Sequence, residues 1–165
     1  MNAKSYYKVL VLSALLVGAA IPGFSATNGS LVLSGVVAPV TSILVQPDPN
    51  ASNLPIGTTV SGLAIAAVNE LSNNKAGYKV SLASANGGTL KESDTSEVGL
   101  QDSLAYSLTY DGNPVTFVNG SAVISNSDKR TSAVGATKTL AISFASEFLN
   151  ADTYTDVLTF TIAAN

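Results

Sequence analysis

The chain of 165 residues contains no cysteine, no histidine and no tryptophan. Without cysteine no disulfide can staple the fold, so stability has to come from apolar burial and strand pairing. Without histidine the commonest general base near neutral pH is missing, and a Ser-His-Asp triad cannot be assembled. The two absences together remove the usual ligands of zinc and copper. Charge is sparse as well: Asp, Glu, Lys and Arg make up 12% of the chain, with 11 acidic residues against 8 basic ones. Beyond Ile21 no stretch is apolar over the roughly 20 residues that a bilayer-spanning helix needs.

The N-terminus carries the first positive signal. Lys4 and Lys8 precede an apolar run from Val9 to Ile21, followed by Pro22, Gly23 and small residues. This is the layout of a secretory signal peptide, with a run too short for a permanent anchor and a flank suited to cleavage. Gly23 and Ser25 meet the small-residue rule for a cut before Ala26. Residues 1–25 are therefore expected to be removed. The remaining 140 residues, 165 less 25, form a single domain that buries about two thirds of its unfolded surface. Losing Lys4 and Lys8 leaves 6 basic residues against 11 acidic ones, a net charge of −5. Such a surface repels nucleic-acid phosphate and anionic lipid, so nucleic acid is not an expected partner and the mature chain is expected to have no membrane span.

From Ala26 onward short alternating runs are separated by turn-formers, the pattern of an all-β sandwich. Leu104, Tyr106, Leu108 and Tyr110 share one face of a predicted strand over 104–110, which meets the turn Asp111-Gly112-Asn113-Pro114 and continues as a hairpin through Val115 and Phe117. Leu63, Ile65 and Ala67 alternate before Ser72-Asn73-Asn74, and Tyr78, Val80 and Leu82 before Asn86-Gly87-Gly88. Further strands are expected at Ala122–Ile124 and at Leu140, Ile142 and Phe144. In the last one Leu158, Phe160 and Ile162 face one way and Val157, Thr159 and Thr161 the other. Lys91–Gln101 and Ser125–Lys138 lack apolar periodicity and read as long surface loops. At the start, Leu31, Leu33, Gly35 and Val37 alternate, and a second run at Ile43–Val45 follows Pro39. Periodicity alone favours one kinked first strand over both runs; the other reading is a free arm that pairs with another molecule.

Three segments carry a family resemblance. NGSLVLSGVVAPVTSILV (28–45) resembles the start of mature chaperone/usher pilins, while SNNKAGYKVSLASANGGTL (72–90) and TYTDVLTFTI (153–162) resemble motifs of archaic pilins and of spore coat U-like secreted proteins. The resemblance implies an immunoglobulin-like antiparallel β-sandwich that lacks its final strand. The missing strand would be lent first by a periplasmic chaperone, at an outer-membrane usher, and then by the arm of an identical or related subunit. The matched arm is Ala26–Gly35, with Leu31 and Leu33 as inserting side chains and Gly35 at the junction, and Leu158, Phe160 and Ile162 would line the acceptor groove. Unlike classical pilins the chain cannot join its first two strands by a disulfide, and it ends Ala163-Ala164-Asn165 without an aromatic residue.

Catalytic constellations are weak. A Ser-Lys pair needs a buried lysine, whereas Lys75, Lys79, Lys91, Lys129 and Lys138 all lie in or beside polar segments and read as solvated. Glu92, Asp94 and Glu97 read as a solvated acidic turn, and neither they nor Asp48 match the spacing of a calcium loop. The Asn-X-Ser triplets at Asn28, Asn50 and Asn119 read as chance matches. No catalytic residue, metal or cofactor is expected. The reading is a structural subunit of a surface fibre, in the periplasm in transit and then at the cell surface, and the alternative is a stand-alone secreted sandwich that binds through its loops. Intact-mass measurement of exported protein is expected to find residues 1–25 absent; retention of Met1–Ser25 would move the protein to the membrane.

Overall fold

A computed structural model of the chain describes residues 27–94, 96 and 99–165. The expected signal segment lies outside the described residues. Residues up to Val36 and residues from Val37 onward belong to separate units, and the second is the folded body. Its strands are β1 (Thr41–Pro47), β2 (Val60–Ser72), β3 (Tyr78–Ser84), β4 (Thr89–Glu92), β5 (Ser103–Ala105), β6 (Ser107–Tyr110), β7 (Asn113–Val115), β8 (Ser121–Ser127), β9 (Ala136–Phe144), β10 (Tyr154–Thr155) and β11 (Leu158–Ala164). A single 3-10 turn, Pro49–Ser52, separates β1 from β2.

Every pairing of these strands is antiparallel, in sheets ordered β1-β2-β9-β6-β7, β11-β3-β8 and the smaller β10-β4-β5. The core gathers Val68, Leu108, Leu140 and Ile142 from the first sheet, Leu82 from the second and Leu90 and Leu104 from the third. Each such aliphatic side chain contributes roughly 1.5–3 kcal/mol by leaving water. The fold is an all-β antiparallel sandwich. Its two ends are set by the β2–β9 register, in which Val60 lies opposite Phe144 and Glu70 opposite Ala136. They are referred to below as the Val60 end and the Ser72 end.

Local chemistry explains most elements. Tyr110 pairs with Asn113 across Asp111-Gly112, whose φ angles of 52° and 78° are both positive, as the tight hairpin turn requires. Gly77 ends the β2–β3 corner at φ 90°, where a Cβ would lie 1.9 Å from the Ser127 carbonyl oxygen, so no other residue fits.

Four expectations need correction. The predicted strand over 104–110 is two strands, because the chain changes sheet at Tyr106; β5 pairs with β4, and β6 with β9. In β2 a register shift between Ala64 and Ala66 turns Ile65 and Ala66 both inward, so the buried series continues as Val68, Glu70 and Ser72, and Ala67 is half-exposed. The loop expected over 125–138 shrinks to 128–135, since β8 extends to Ser127 and β9 starts at Ala136. Residues 27–40 form no strand, so the alternation at Leu31–Val37 does not build one kinked strand with β1. Leu31 and Leu33 are 84% and 85% exposed.

The largest departure from the sequence reading is Glu70, which is fully buried. Its Oε1 accepts a hydrogen bond from Tyr110 Oη at 2.7 Å, and its Oε2 accepts from Tyr78 Oη at 2.8 Å and Ser125 Oγ at 3.1 Å. Lys138 Nζ stands 3.1 Å from Oε2, donates to Ser125 Oγ at 2.7 Å, and lies 5.5 Å from the centre of the Tyr110 ring. Lys138 is thus an ion-pair partner and not a solvated lysine. Burial first, then the bond to Glu70, pushes the Tyr78 hydroxyl up to about 12, and the same causes raise Tyr110. The cluster joins β2, β6 and β9 of one sheet to β3 and β8 of the other. Removing one partner of a buried ion pair strands the other charge, so Lys138→Ala is expected to lower unfolding free energy by about 3–5 kcal/mol in denaturant titrations. Adding Glu70→Gln, which removes the stranded charge and keeps one acceptor oxygen among the hydroxyls while its NH2 can only donate, is expected to recover part of that loss.

Candidate functional site

β1 and β11 are each the end strand of their sheet, and no backbone ladder joins them. They run antiparallel to one another, because Thr41 pairs with Ser72 and Pro47 with Ala66, while Leu158 pairs with Ser84 and Ala164 with Tyr78. Between these two edges lies an apolar seam. One lip presents Ile43 and Val45, half-buried and packed against the core. The other presents Leu158, Phe160 and Ile162, which the period-2 pattern places on one face and which are all half-buried. Leu158 and Phe160 touch the core. A cavity of about 220 Å³ opens in the seam, with Val45 and Leu158 at its sides and Ile65, Ala66, Leu90, Leu140 and Ile142 among its lining residues.

The Val60 end of the seam is polar. Asp156 and Tyr106 both line the cavity. Asp156 Oδ1 accepts backbone N–H bonds from Asn86 at 3.0 Å and Val157 at 2.7 Å, and Oδ2 accepts from Ser84 Oγ at 2.5 Å and from the Tyr106 hydroxyl. Ser84 Oγ in turn accepts the Gly88 N–H at 2.7 Å. Burial first, and then the bond to Asp156, raises the Tyr106 hydroxyl above the ordinary tyrosine range. The network ties the start of β11 to the end of β3 and to the point where the chain changes sheet, so it holds one lip in place.

At the Ser72 end the lips are held by amides. Asn73 Oδ1 accepts the Val40 N–H at 2.7 Å, Asn73 Nδ2 donates to the Ala38 carbonyl at 2.8 Å, and the Asn73 N–H donates to the Val40 carbonyl at 3.0 Å. The neighbouring Asn74 Nδ2 donates to the Asn165 carbonyl at 2.8 Å, just past the end of β11. Leu31 and Leu33 are exposed, and nothing lies within 4 Å of a Cβ placed on Gly35.

The structure keeps Leu158, Phe160 and Ile162 on one face of β11, as the alternation predicts; the sequence reading placed Tyr106 on a strand face only and assigned no role to Asp156 or Asn73. Ile43 and Val45 were visible as an apolar run, whereas a lone Asp or Asn between strands carries no sequence signal of a lip-holding role. Of the acidic trio, Glu97 lies outside the described residues. Glu92 Oε2 accepts the Asp102 N–H at 2.7 Å and Asp94 Oδ1 the Ser96 N–H at 2.8 Å, which ties both into loop structure.

No family model and no curated protein matches the chain. Among solved structures it is similar to the Escherichia coli Hda pilus minor tip subunit, HdaB, at 11% identity over 73% of this chain and 79% of that one, with a TM-score of 0.38.

Because Asp156 satisfies four donors at one point, Asp156→Ala leaves partly buried hydroxyl and amide groups unpaired. It is expected to cost about 2–3 kcal/mol of stability, read as a shift of the denaturation midpoint. A change within about 0.5 kcal/mol, the range of ordinary surface substitutions, would show that the lip does not depend on this carboxylate.

Proposed function

We propose that the chain is a non-catalytic structural subunit of a surface fibre, assembled when the segment Ala26–Gly35 of one copy adds as a strand between β1 and β11 of another. The observation that carries this reading is the apolar seam between two unpaired strand edges. Exposed edges of this kind are normally blunted by charge, proline or a covering element, and here no charged side chain lies along the inward face of either lip. A strand laid in the seam would gain backbone hydrogen bonds from the edges, and alternate side chains would enter the apolar space.

The segment 27–36 has the matching chemistry. Leu31 and Leu33 alternate with Val32 and Ser34, and the two leucines stand in solvent. Leu158, Phe160 and Ile162 serve as acceptor residues, joined by Ile43 and Val45 from the opposite lip. In transit the same seam would take a strand from a periplasmic chaperone at an outer-membrane usher, and the finished fibre would lie outside the cell.

The test is the double variant Leu31→Asp with Leu33→Asp in purified mature protein. Charge placed in an apolar seam without a partner costs several kcal/mol, so fibres seen by electron microscopy are expected to vanish. Because both leucines are exposed, the monomer is expected to keep its stability within about 0.5 kcal/mol. Fibres that persist, or a melting transition that collapses, would each defeat the reading.

A further inference from the structure

The ionisable side chains of the body lean to opposite signs at its two ends, basic at the Ser72 end in spite of the exposed Asp128 beside Lys129, and acidic at the Val60 end in spite of the exposed Lys91 beside Glu92. Lys75, Lys79, Lys129 and Arg130 are all exposed at the Ser72 end. Lys75 lies in the β2–β3 corner, Lys79 pairs with Asn126 and Ala163, and the loop after Ser127 returns to Ser72 through the Thr131 N–H. The Val60 end holds Glu92, Asp94, Asp102, Glu147, Asp152 and Asp156. Glu147 and Asp152 lie in the loop that follows Phe144. Asn150 of that loop bonds Asp102 and Glu92, and Asp152 accepts the Asp94 N–H. Among the described residues none of these carboxylates forms an ion pair with a lysine or arginine; the pair present is Lys138 with Glu70.

Apolar features accompany the charge at both ends. Beside Arg130 a cavity of about 430 Å³ is lined by Val40, Leu71 and Ala133, and Val134 next to it is 84% exposed. At the other end Phe148, adjacent to Glu147, is wholly exposed, and Leu100 is 65% exposed. A lone exposed valine is unremarkable, but a fully solvated phenylalanine flanked by an acid, opposite a cavity flanked by an arginine, makes two faces that fit each other.

We propose that these ends are the two halves of a head-to-tail contact between copies of this chain, with Phe148 of one copy seated in the cavity lined by Val40, Leu71 and Ala133 of the next and Glu147 set beside Arg130. Joining unlike faces of identical subunits cannot give a two-fold dimer; it gives an open filament wherever the rotation from copy to copy does not close into a ring. The inference deepens the fibre reading and rests on it for the direction of growth. The chain joins the body at Val40, clamped by Asn73 at the basic end, so a copy whose arm is donated turns that end towards its acceptor. The seam's cavity lies towards the acidic end of the acceptor, near Pro47 and Leu158. Opposed charge steers the two faces together over the distance at which charges remain unscreened.

The absence of native cysteine gives a clean test. In the mature protein carrying Ala133→Cys and Ala151→Cys, one exposed position beside each face, mild oxidation in low salt is expected to give a disulfide-linked ladder on non-reducing gels. The control pair Ala133→Cys with Val123→Cys, whose second site lies on the flank of β8, is expected to give none. Adding Lys129→Glu with Arg130→Glu, or Phe148→Ser, is expected to reduce the ladder about tenfold, as loss of a central anchor does. In 1 M salt, where screening acts beyond about 3 Å, the ladder is expected to weaken in the same direction. No ladder, equal ladders from test and control pairs, or a ladder indifferent to both sets of substitutions would overturn the proposal. Repeating the test with Leu31→Asp and Leu33→Asp separates the two readings. A ladder that needs the leucines makes the end contact dependent on strand donation, and one that survives without them makes it independent; either supports the contact. A ladder from a protein that forms no fibres would remove the fibre reading and leave the contact standing.

Discussion

A single carboxylate without access to water holds the two sheets in register. Glu70 takes hydrogen bonds from two tyrosines and a serine and a charge from Lys138, and those partners come from strands of both sheets. In the low-dielectric interior each bond is stronger than it would be in water, and each missing one would cost more. The arrangement also accounts for the irregularities around it. A register shift between Val80 and Ser81 in the β3–β8 pairing accompanies the turn of Ser125 into the core, and the shift in β2 keeps Glu70 on the inward face. In a chain with no cysteine this cluster is the cross-brace.

The seam depends on that brace. Glu70 is two residues from Ser72, at the end where Asn73 and Asn74 fasten the approach to β1 and the close of β11. The opposite end is fastened by Asp156, Tyr106 and Ser84. Between these polar anchors the lips carry apolar side chains and unpaired edges.

The hairpin at Asp111-Gly112, the single inward face of Leu158, Phe160 and Ile162, and the all-β architecture were legible because each depends on neighbours in sequence: a two-residue turn, a period of two, a spacing of turn-formers. The change of sheet at Tyr106 was not, since the alternation of Leu104, Tyr106, Leu108 and Tyr110 continues across it and only the partner strands differ. Nor was the role of Lys138. Its polar neighbours in sequence suggested a solvated side chain, but its partners in space are Glu70 and Ser125, 68 and 13 positions away.

By itself the sequence determined that this is an antiparallel β protein without disulfides, with a short apolar segment ahead of its first paired strand and a last strand of one apolar face. The tertiary structure decided which edges stay unpaired, which acid is buried, and at which end each charge lies. Alternation places a side chain on one face or the other, but which strand lies alongside is settled by contacts between segments far apart in the chain, which a local pattern does not encode.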